Sequence, residues 1–472
     1  LMRIDTNSGE MIGSIDIDNS DSPSALAFSP LGDYLLVTLQ GNNALMVFDA
    51  FNIANTSGLG SLVANIQVGE APQGVAMDVV TGRGVVKNFL GRSVQVLEMQ
   101  SFLSQGKIGF DSLEIPVVAN ETLSSEELMG KRIFYNAVDE RMSSEGYISC
   151  ATCHFDGGSD GRVWDFTGRG EGLRRTTDLR GRGGVAHGGL HWSGNFDEVQ
   201  DFENDIRNAF GGSGFMSDED FAATNSTLGA PKAGISAELD ALAAYVSSLA
   251  GDSVPRSPHR QENGELTAAA LAGETVFTTQ NCAVCHTPGN YTDSVLPEGS
   301  LHNVGTLRAS SGQRLSADLS GIDTPTLRGV HAQSRFLHDG SALSLEEVFT
   351  RTGGTTIPAE DGVVSAGAVV INTGVPVNND DTVRGRSLVS FPVVSGRLTF
   401  SNVDGGAADG LGAIEIRHSG SGQNLVLLVN GVPIPAFVPA TNNFPVWSHR
   451  IWCYTRFENI PLVAGENNVI EI

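Results

Sequence analysis

Four of the five cysteines in this chain fall into two identical arrangements. Residues 147–158 read YISCATCHFDGG and residues 281–288 read NCAVCHTP. Each places two cysteines three positions apart with a histidine directly after the second. C-x-x-C-H is the spacing that attaches a c-type haem. Each thiol can form a thioether to one haem vinyl group, and the following His then lies under the iron as its axial ligand. A redox dithiol or half of a zinc site would use the same cysteines. A structural zinc site needs four ligands, however, and no further cysteine pair is available to complete one. The reading is two covalently bound haem c groups, one on Cys150, Cys153 and His154, the other on Cys282, Cys285 and His286. Cys453, between Trp452 and Tyr454, is left over and reads as a buried apolar thiol.

Covalent haem attachment takes place outside the cytoplasm, so the expected location is the periplasm or the cell surface and beyond. The opening residues LMRIDTNSGEMIG lack the basic segment and apolar run of a signal peptide, which suggests a mature or shortened chain. No run of apolar residues is long enough to span a membrane. A formal net charge of −25 over 472 residues argues against nucleic acid and anionic membranes as partners; simple solubility accounts for the acidity equally well. With 57 glycines and 7% aromatic residues, many turns and much β structure are expected outside the haem motifs.

The elements that must position these motifs suggest a multidomain chain: a partial β-propeller, two mainly α cytochrome c domains and a C-terminal β-sandwich. SPSALAFSPLGDYLLVTLQGNNALMVFDA (22–50) is echoed about fifty residues later by EAPQGVAMDVVTGRGVVKNFLGRSVQVLEM (70–99). Each copy alternates short apolar strands with Gly or Asn turns, a period typical of propeller blades. Residues 1–115 would supply about two and a half blades of the surface-protein type, and closure needs roughly four to eight, so upstream sequence is expected. A small irregular β domain is the alternative. The next two domains are expected at 120–255 and 256–352. SSEELMGKRIFYNA (124–137) reads as a capped amphipathic helix, AGISAELDALAAYVSSLA (233–250) as a second with Ser236 as N-cap, and 263–286 as a helix leading into the second motif.

The two haem domains look like copies of each other, in TTDLRGRGGVAHGGLHWSGNFDEVQDF (176–202) and DTPTLRGVHAQSRFLHDGSALSLEEVF (323–349). From about 124 to 352 the chain resembles the bacterial di-haem cytochrome c peroxidases and their protein-oxidising relatives that mature quinone cofactors. TPTLRGV, FLHDGSALSLEEV and LHNVG carry the resemblance together with the haem motifs. It implies a peroxide-reducing or peroxide-using oxidoreductase with peroxide reacting at haem one, electrons passing through haem two, and a calcium ion possible between them. Trp192 matches the tryptophan between the haems. Glu203 is the candidate distal acid, with Asp201 and Glu198 as alternatives. His187 and His191 are candidates for a displaceable sixth ligand or a distal hydrogen-bonding group. Arg169, Arg174, Arg175, Arg180 and Arg182 suit bidentate pairing with haem propionates. Fourteen residues after His338 the family places a Met or Tyr iron ligand, and this chain has Thr352. Haem two would then lack a sixth ligand, bind water or recruit another group, with His302 the nearest substitute although a structural role is the stronger expectation for it. His338 is expected to hydrogen-bond within its loop.

Residues 355–472 read as strands separated by turns and resemble the β-sandwich of carbohydrate-binding modules, whose closing strand AGENNVIEI matches. Trp447 is a candidate sugar-stacking residue, with a core position the stronger expectation. The implied partners are hydrogen peroxide, an electron-donor protein or small redox carrier, and a polysaccharide or protein docked on the β regions. The alternative is a non-enzymatic electron-transfer or surface-assembly cytochrome.

Overall fold

The computed structural model describes residues 2–9, 11–14, 17, 19–52, 58–294, 301–350, 363–365, 369–372, 387–390, 397–403, 410–418, 425–438 and 453–472. Thr352, Trp447 and the first residues of the expected sandwich, 355–362, lie outside them, as does the Cys453 side chain. The chain divides into two compact units, each discontinuous in sequence. The first holds Leu1–Asp160, Thr177–Ser300 and Thr324–Ala332; the second holds Gly161–Thr176, Leu301–Asp323 and Gln333–Ile472. This division differs from the four successive blocks expected from the sequence.

In the first unit, the 22–50 segment forms strands β1 (Pro23–Phe28), β2 (Tyr34–Leu39) and β3 (Ala44–Asp49), and β4 (Leu62–Gln67) completes an antiparallel four-stranded sheet. The 70–99 segment repeats the scheme with β5 (Pro72–Met77), β6 (Arg83–Asn88), β7 (Ser93–Glu98) and β8 (Ser112–Pro116). Gly32 and Gly82, at φ 73° and 68°, occupy corresponding turns in the two copies, where a side chain would be strained. Strands β2 and β3 bury almost every residue, as central strands covered on both faces do. Leu36, Leu45 and Val47 pack with Val86, Leu97, Met99 and Phe102, joining the two sheets in one core.

Four helices of this unit matter for the haem motifs: α1 (Ser125–Tyr135), α2 (Cys150–Cys153), α3 (Ala237–Ser248) and α4 (Ala268–Thr279). Ser124 Oγ accepts from the Glu127 amide at 3.1 Å while the Glu127 carboxylate accepts from the Ser124 amide at 2.9 Å, the reciprocal cap read in the sequence. Ser236 caps α3 through the Leu239 amide. Helices α1 and α3 cross at Gly130, where a Cβ would fall on the Ala241 carbonyl. Around that crossing Phe134, Tyr135, Leu239, Leu242 and Tyr245 pack with Ala151 of α2 and with Ala71 and Leu90, which lie in the turns just before β5 and just after β6.

In the second unit, β9 (Val163–Asp165) pairs with β10 (Leu173–Arg175), and β11 (Leu301–His302) with β12 (Ile322–Asp323). Further along, a five-stranded sheet runs in the order Val363–Ser365, Arg397–Val403, Asn468–Glu471, Leu425–Val429, Val432–Val438. Leu427, Val429, Phe457, Ile460 and Ile470 form its core. Within AGENNVIEI, Asn468 is fully buried and works as a staple. Its Oδ1 accepts from the Val463 amide and Asn430 Nδ2, and its Nδ2 donates to the carbonyls of Val403 and Val463, all at 2.8–3.0 Å.

Candidate functional site

The first motif folds as a single helical turn. Cys150 and Cys153 are half-buried and not joined in a disulfide, one at each end of it. Thr152 Oγ1 accepts from the Ser149 amide at 2.8 Å, closing the N-terminal end. His154 follows, its amide donating to the Cys150 carbonyl at 3.0 Å. Its Nδ1 lies 3.0 Å from the Thr177 carbonyl and 3.2 Å from the Gly158 carbonyl. A carbonyl can only accept, so Nδ1 carries the proton and Nε2 keeps its lone pair. Nε2 makes no hydrogen bond among the described residues. Burial holds the imidazole below its ordinary range, and the nearby His191 adds to that. Burial also pushes the Cys150 thiol up to about 12, Asp21 and Asp205 adding to it.

The second motif repeats this state. Asn281, at φ 60°, turns the chain into Cys282–Val284, and the His286 amide donates to the Cys282 carbonyl at 3.0 Å. His286 Nδ1 donates to the Tyr291 carbonyl at 3.1 Å, so its Nε2 is likewise left with a lone pair. Cys282 and Cys285 are half-buried free thiols. Helix α4 leads into this motif with a largely apolar sequence and no buried residue; Leu271 is 52% and Val276 57% exposed. Thiol pairs, available imidazole nitrogens and an uncovered apolar helix fit a covalently bound haem.

The TPTLRG segment has a mechanical role that its sequence did not disclose. Thr326 Oγ1 donates to the Asn290 carbonyl at 2.5 Å, Thr292 Oγ1 to the Thr324 carbonyl at 2.6 Å, and Arg328 to the Gly289 carbonyl at 2.9 Å. Together these bonds strap the loop that follows His286.

The expected distal residues are placed differently from one another. His187 is buried, with Nδ1 2.7 Å from the Gly184 carbonyl and Nε2 3.0 Å from Arg182. Burial, with the Arg182 charge beside it, lowers it to about 3, so it is neutral and both nitrogens are committed. His191 holds a left-handed backbone at φ 64°. Its Nδ1 is 2.8 Å from Asn195 Oδ1, and its ring packs on Phe196 and Phe202 at 4.4 and 5.1 Å. Its Nε2 makes no hydrogen bond among the described residues. Trp192 is buried beside it.

The three carboxylates are all engaged. Glu203 is fully buried. Its Oε1 accepts from Arg207 Nε at 2.7 Å and from the amides of Phe215 and Met216, and Oε2 also faces the Phe215 amide at 2.9 Å. Asp201 accepts from Lys232 Nζ at 2.5 Å and from the amides of Asp197 and Glu198. Burial nevertheless raises it to about 6. Glu198 accepts from the amides of Lys232 and Ala233.

The arginines are also tied within the protein. Arg180 grips Asp178 through two bonds at 2.7 and 3.0 Å, and Arg182 donates to the Asp178 carbonyl and to His187. In the second unit Arg174 pairs with Glu171 at 2.5 Å and donates to the Ser311 carbonyl at 2.7 Å. Arg175 donates to the Thr176 and Leu337 carbonyls, and Arg169 lies over the Phe166 ring. His338 is buried with Nε2 2.6 Å from Ser311 Oγ, and burial lowers it to about 4. His302 sits half-buried on β11.

No helix among the described residues is long and apolar enough to cross a membrane. No protein-family model matches the chain. Hydrazine synthase subunit gamma of Kuenenia stuttgartiensis is 27% identical over 253 residues, covering 45% of this chain and 67% of that protein. Methylamine utilization protein MauG of Methylorubrum extorquens is 26% identical over 272 residues, covering 49% and 69%. Among solved structures, the diheme peroxidase BthA of Burkholderia thailandensis aligns over 50% of this chain and 72% of its own at 17% identity and a TM-score of 0.31. A Kuenenia stuttgartiensis hydrazine synthase aligns over 23% of this chain and 27% of its own at 20% identity and a TM-score of 0.17. The curated relatives support, at a coarse level and over about half the chain, a haem-bearing oxidoreductase.

Proposed function

We propose that this chain is an exported di-haem c-type oxidoreductase that reacts with hydrogen peroxide at the Cys150/Cys153/His154 haem and exchanges electrons through the Cys282/Cys285/His286 haem. The matched state of the two axial histidines carries this reading. In each, Nδ1 is spent on a backbone carbonyl and Nε2 is available, directly after a pair of cysteines not joined in a disulfide.

A bound haem supplies redox-active iron able to take up peroxide or pass an electron. Around it the chain orients and moves protons. His191 is assigned as the distal group: Nδ1 donating to Asn195 leaves Nε2 to accept a peroxide proton and return it, and Phe196 and Phe202 fix the ring. Glu203, the acid implied by the family resemblance, already has both oxygens occupied by donors, as do Asp201 and Glu198 at least in part. These three are assigned to holding the loops around them rather than to proton transfer. Trp192 is assigned to charge transfer between the haems. His187, with neither nitrogen available, orients the Arg182 loop. An acidic chain of net charge −25 suits a basic electron donor, with steering that weakens at high salt.

A pyridine haemochrome assay should return two haems per chain, and peroxide should change the spectrum of the first haem only. One haem per chain, or two haems indifferent to peroxide, would overturn the reading; the second outcome would leave a relay cytochrome.

A further inference from the structure

We propose that Asp21, a residue of the β-strand region, is a positioning residue of the first haem site, setting both the geometry of the attachment helix and the charge beside it. The proposal rests on reading Cys150, Cys153 and His154 as that site. Asp21 lies just before β1 and is 1% exposed. Its Oδ2 accepts from Ser149 Oγ at 2.7 Å, and its Oδ1 from Thr152 Oγ1 and Ser22 Oγ, both at 2.7 Å. Ser149 immediately precedes Cys150, and Thr152 immediately precedes Cys153. One carboxylate thus grips the neighbour of each attachment thiol, and the Thr152 hydroxyl passes the constraint on to the Ser149 amide.

The surrounding loops hold Asp21 in place. Its amide donates to Asn42 Oδ1 at 2.5 Å, Asn42 Nδ2 donates to the Gly146 carbonyl at 2.7 Å, and the Ala137 amide donates to the Gly41 carbonyl at 2.9 Å. Position 41 must be glycine, because a Cβ there would strike the Asp21 carboxylate.

A buried carboxylate is costly unless it is well hydrogen-bonded. Joining the β region to the haem helix does not require one, since neutral contacts would serve. Burial raises the Asp21 carboxyl above its ordinary range, and the three converging hydroxyls pull the other way, toward the ionised form. A negative charge held there has an electrical consequence, because it favours the more positive, oxidised state of a nearby iron. Fixing Ser149 and Thr152 also limits how the two thiols can turn, which sets their spacing for attachment.

The test uses the haem-loaded full chain. Asp21→Asn keeps the shape and removes the charge. In a redox titration followed in the visible, the reduction equilibrium of the first haem should move at least tenfold toward the ferrous form, 59 mV for one electron, while the second haem is unmoved. A merely structural tie would lower thermal stability and leave the potential alone. A two-haem Asp21→Asn chain with an unmoved first potential would overturn the assignment. If that variant fails to fold, the Ser149→Ala/Thr152→Val pair keeps the charge and cuts both ties. Peptide mass spectrometry should then find single or missing thioethers at 150 and 153 and full attachment at 282 and 285. Full attachment at both motifs would also overturn the assignment. A wild-type chain carrying no haem at its first motif would instead overturn the underlying reading, and Asp21's role with it.

Discussion

Replacing Glu203 by Gln exchanges an oxygen for an NH2 group and removes a charge at a fully buried position. Gln can offer one accepting oxygen where the carboxylate offered two. If that oxygen keeps the Arg207 bond at 2.7 Å, the new NH2 faces the Phe215 amide, which now lies 2.9 Å from both oxygens. Two donors then meet: the Phe215 amide can still use the retained oxygen, but the new buried NH2 faces a donor where an acceptor is needed, at a cost of about 1–3 kcal/mol. Losing the charge weakens the Arg207 bond from the 1.5–3 kcal/mol class toward about 1 kcal/mol. Arg207 keeps Asp218, but that side chain is 94% exposed and such pairs contribute little. The sum is roughly 2–4 kcal/mol, or about 5–10 °C of midpoint in a unit of this size. Calorimetry of the haem-loaded chain reads the midpoint, and stopped-flow mixing with peroxide well below it reads the chemistry. The expected result is a clear loss of stability with the peroxide rate within a few-fold of wild type. An unchanged midpoint with a rate reduced about a hundredfold, the size of a general acid–base contribution, would return the acid role to Glu203 and refute its assignment to holding the surrounding loops.

His187 and His338 are held neutral when folded, at about 3 and about 4, while the unfolded chain takes up protons near pH 6.5. Their contribution is therefore complete above about pH 6.5 and lost as pH falls toward those values, by up to about 1.4 kcal/mol per pH unit for each. His338→Gln should flatten the fall of the unfolding midpoint between pH 6.5 and 5, and an unchanged slope would contradict this. Gly130→Ala should cost about 1–3 kcal/mol by overpacking the crossing of α1 and α3, read by urea unfolding; a neutral result would mean the helices can part without penalty. All eight Met residues lie at or before Met216, and the matching ligand position is Thr352. The second haem should accordingly show no near-infrared Met–iron charge-transfer band, and such a band assigned to it would refute the expectation.

Local signals were the legible ones. The C-x-x-C-H turns, the Ser124 and Ser236 caps and the repeated turn glycines depend on residues a few positions apart, where spacing alone dictates geometry. The 22–50 and 70–99 segments each hold three strands of their sheet; the fourth lies beyond the visible repeat and is recruited by edge pairing. Long-range polar ties were not legible. Asp21 reaches Ser149 across 128 positions, and no periodicity in a sequence marks such a partner. The arginines were expected to pair with haem propionates. Yet Arg174 and Arg180 each close on a carboxylate within three positions, Glu171 and Asp178; those local pairs were visible in the sequence and outweighed by the attraction of propionate chemistry. Glu203 was a candidate through the family resemblance. What occupies it, the turn at Phe215 and Met216, comes from the next loop, which has no pattern of its own.

Ala71 and Leu90 lie in the turns of the second sheet by chain position but belong to the α1–α3 core by packing. The strand region is therefore not a cassette that could be exchanged for an unrelated β domain without redesign, since any replacement would have to present two small-to-medium apolar side chains to Phe134 and Tyr135. Opening of this seam should expose the surroundings of Cys150 at the same moment. Hydrogen exchange at the sheet's edge and at the first motif should then report a single opening event, and a lineage that dropped the strands would have had to rebuild that wall of the core.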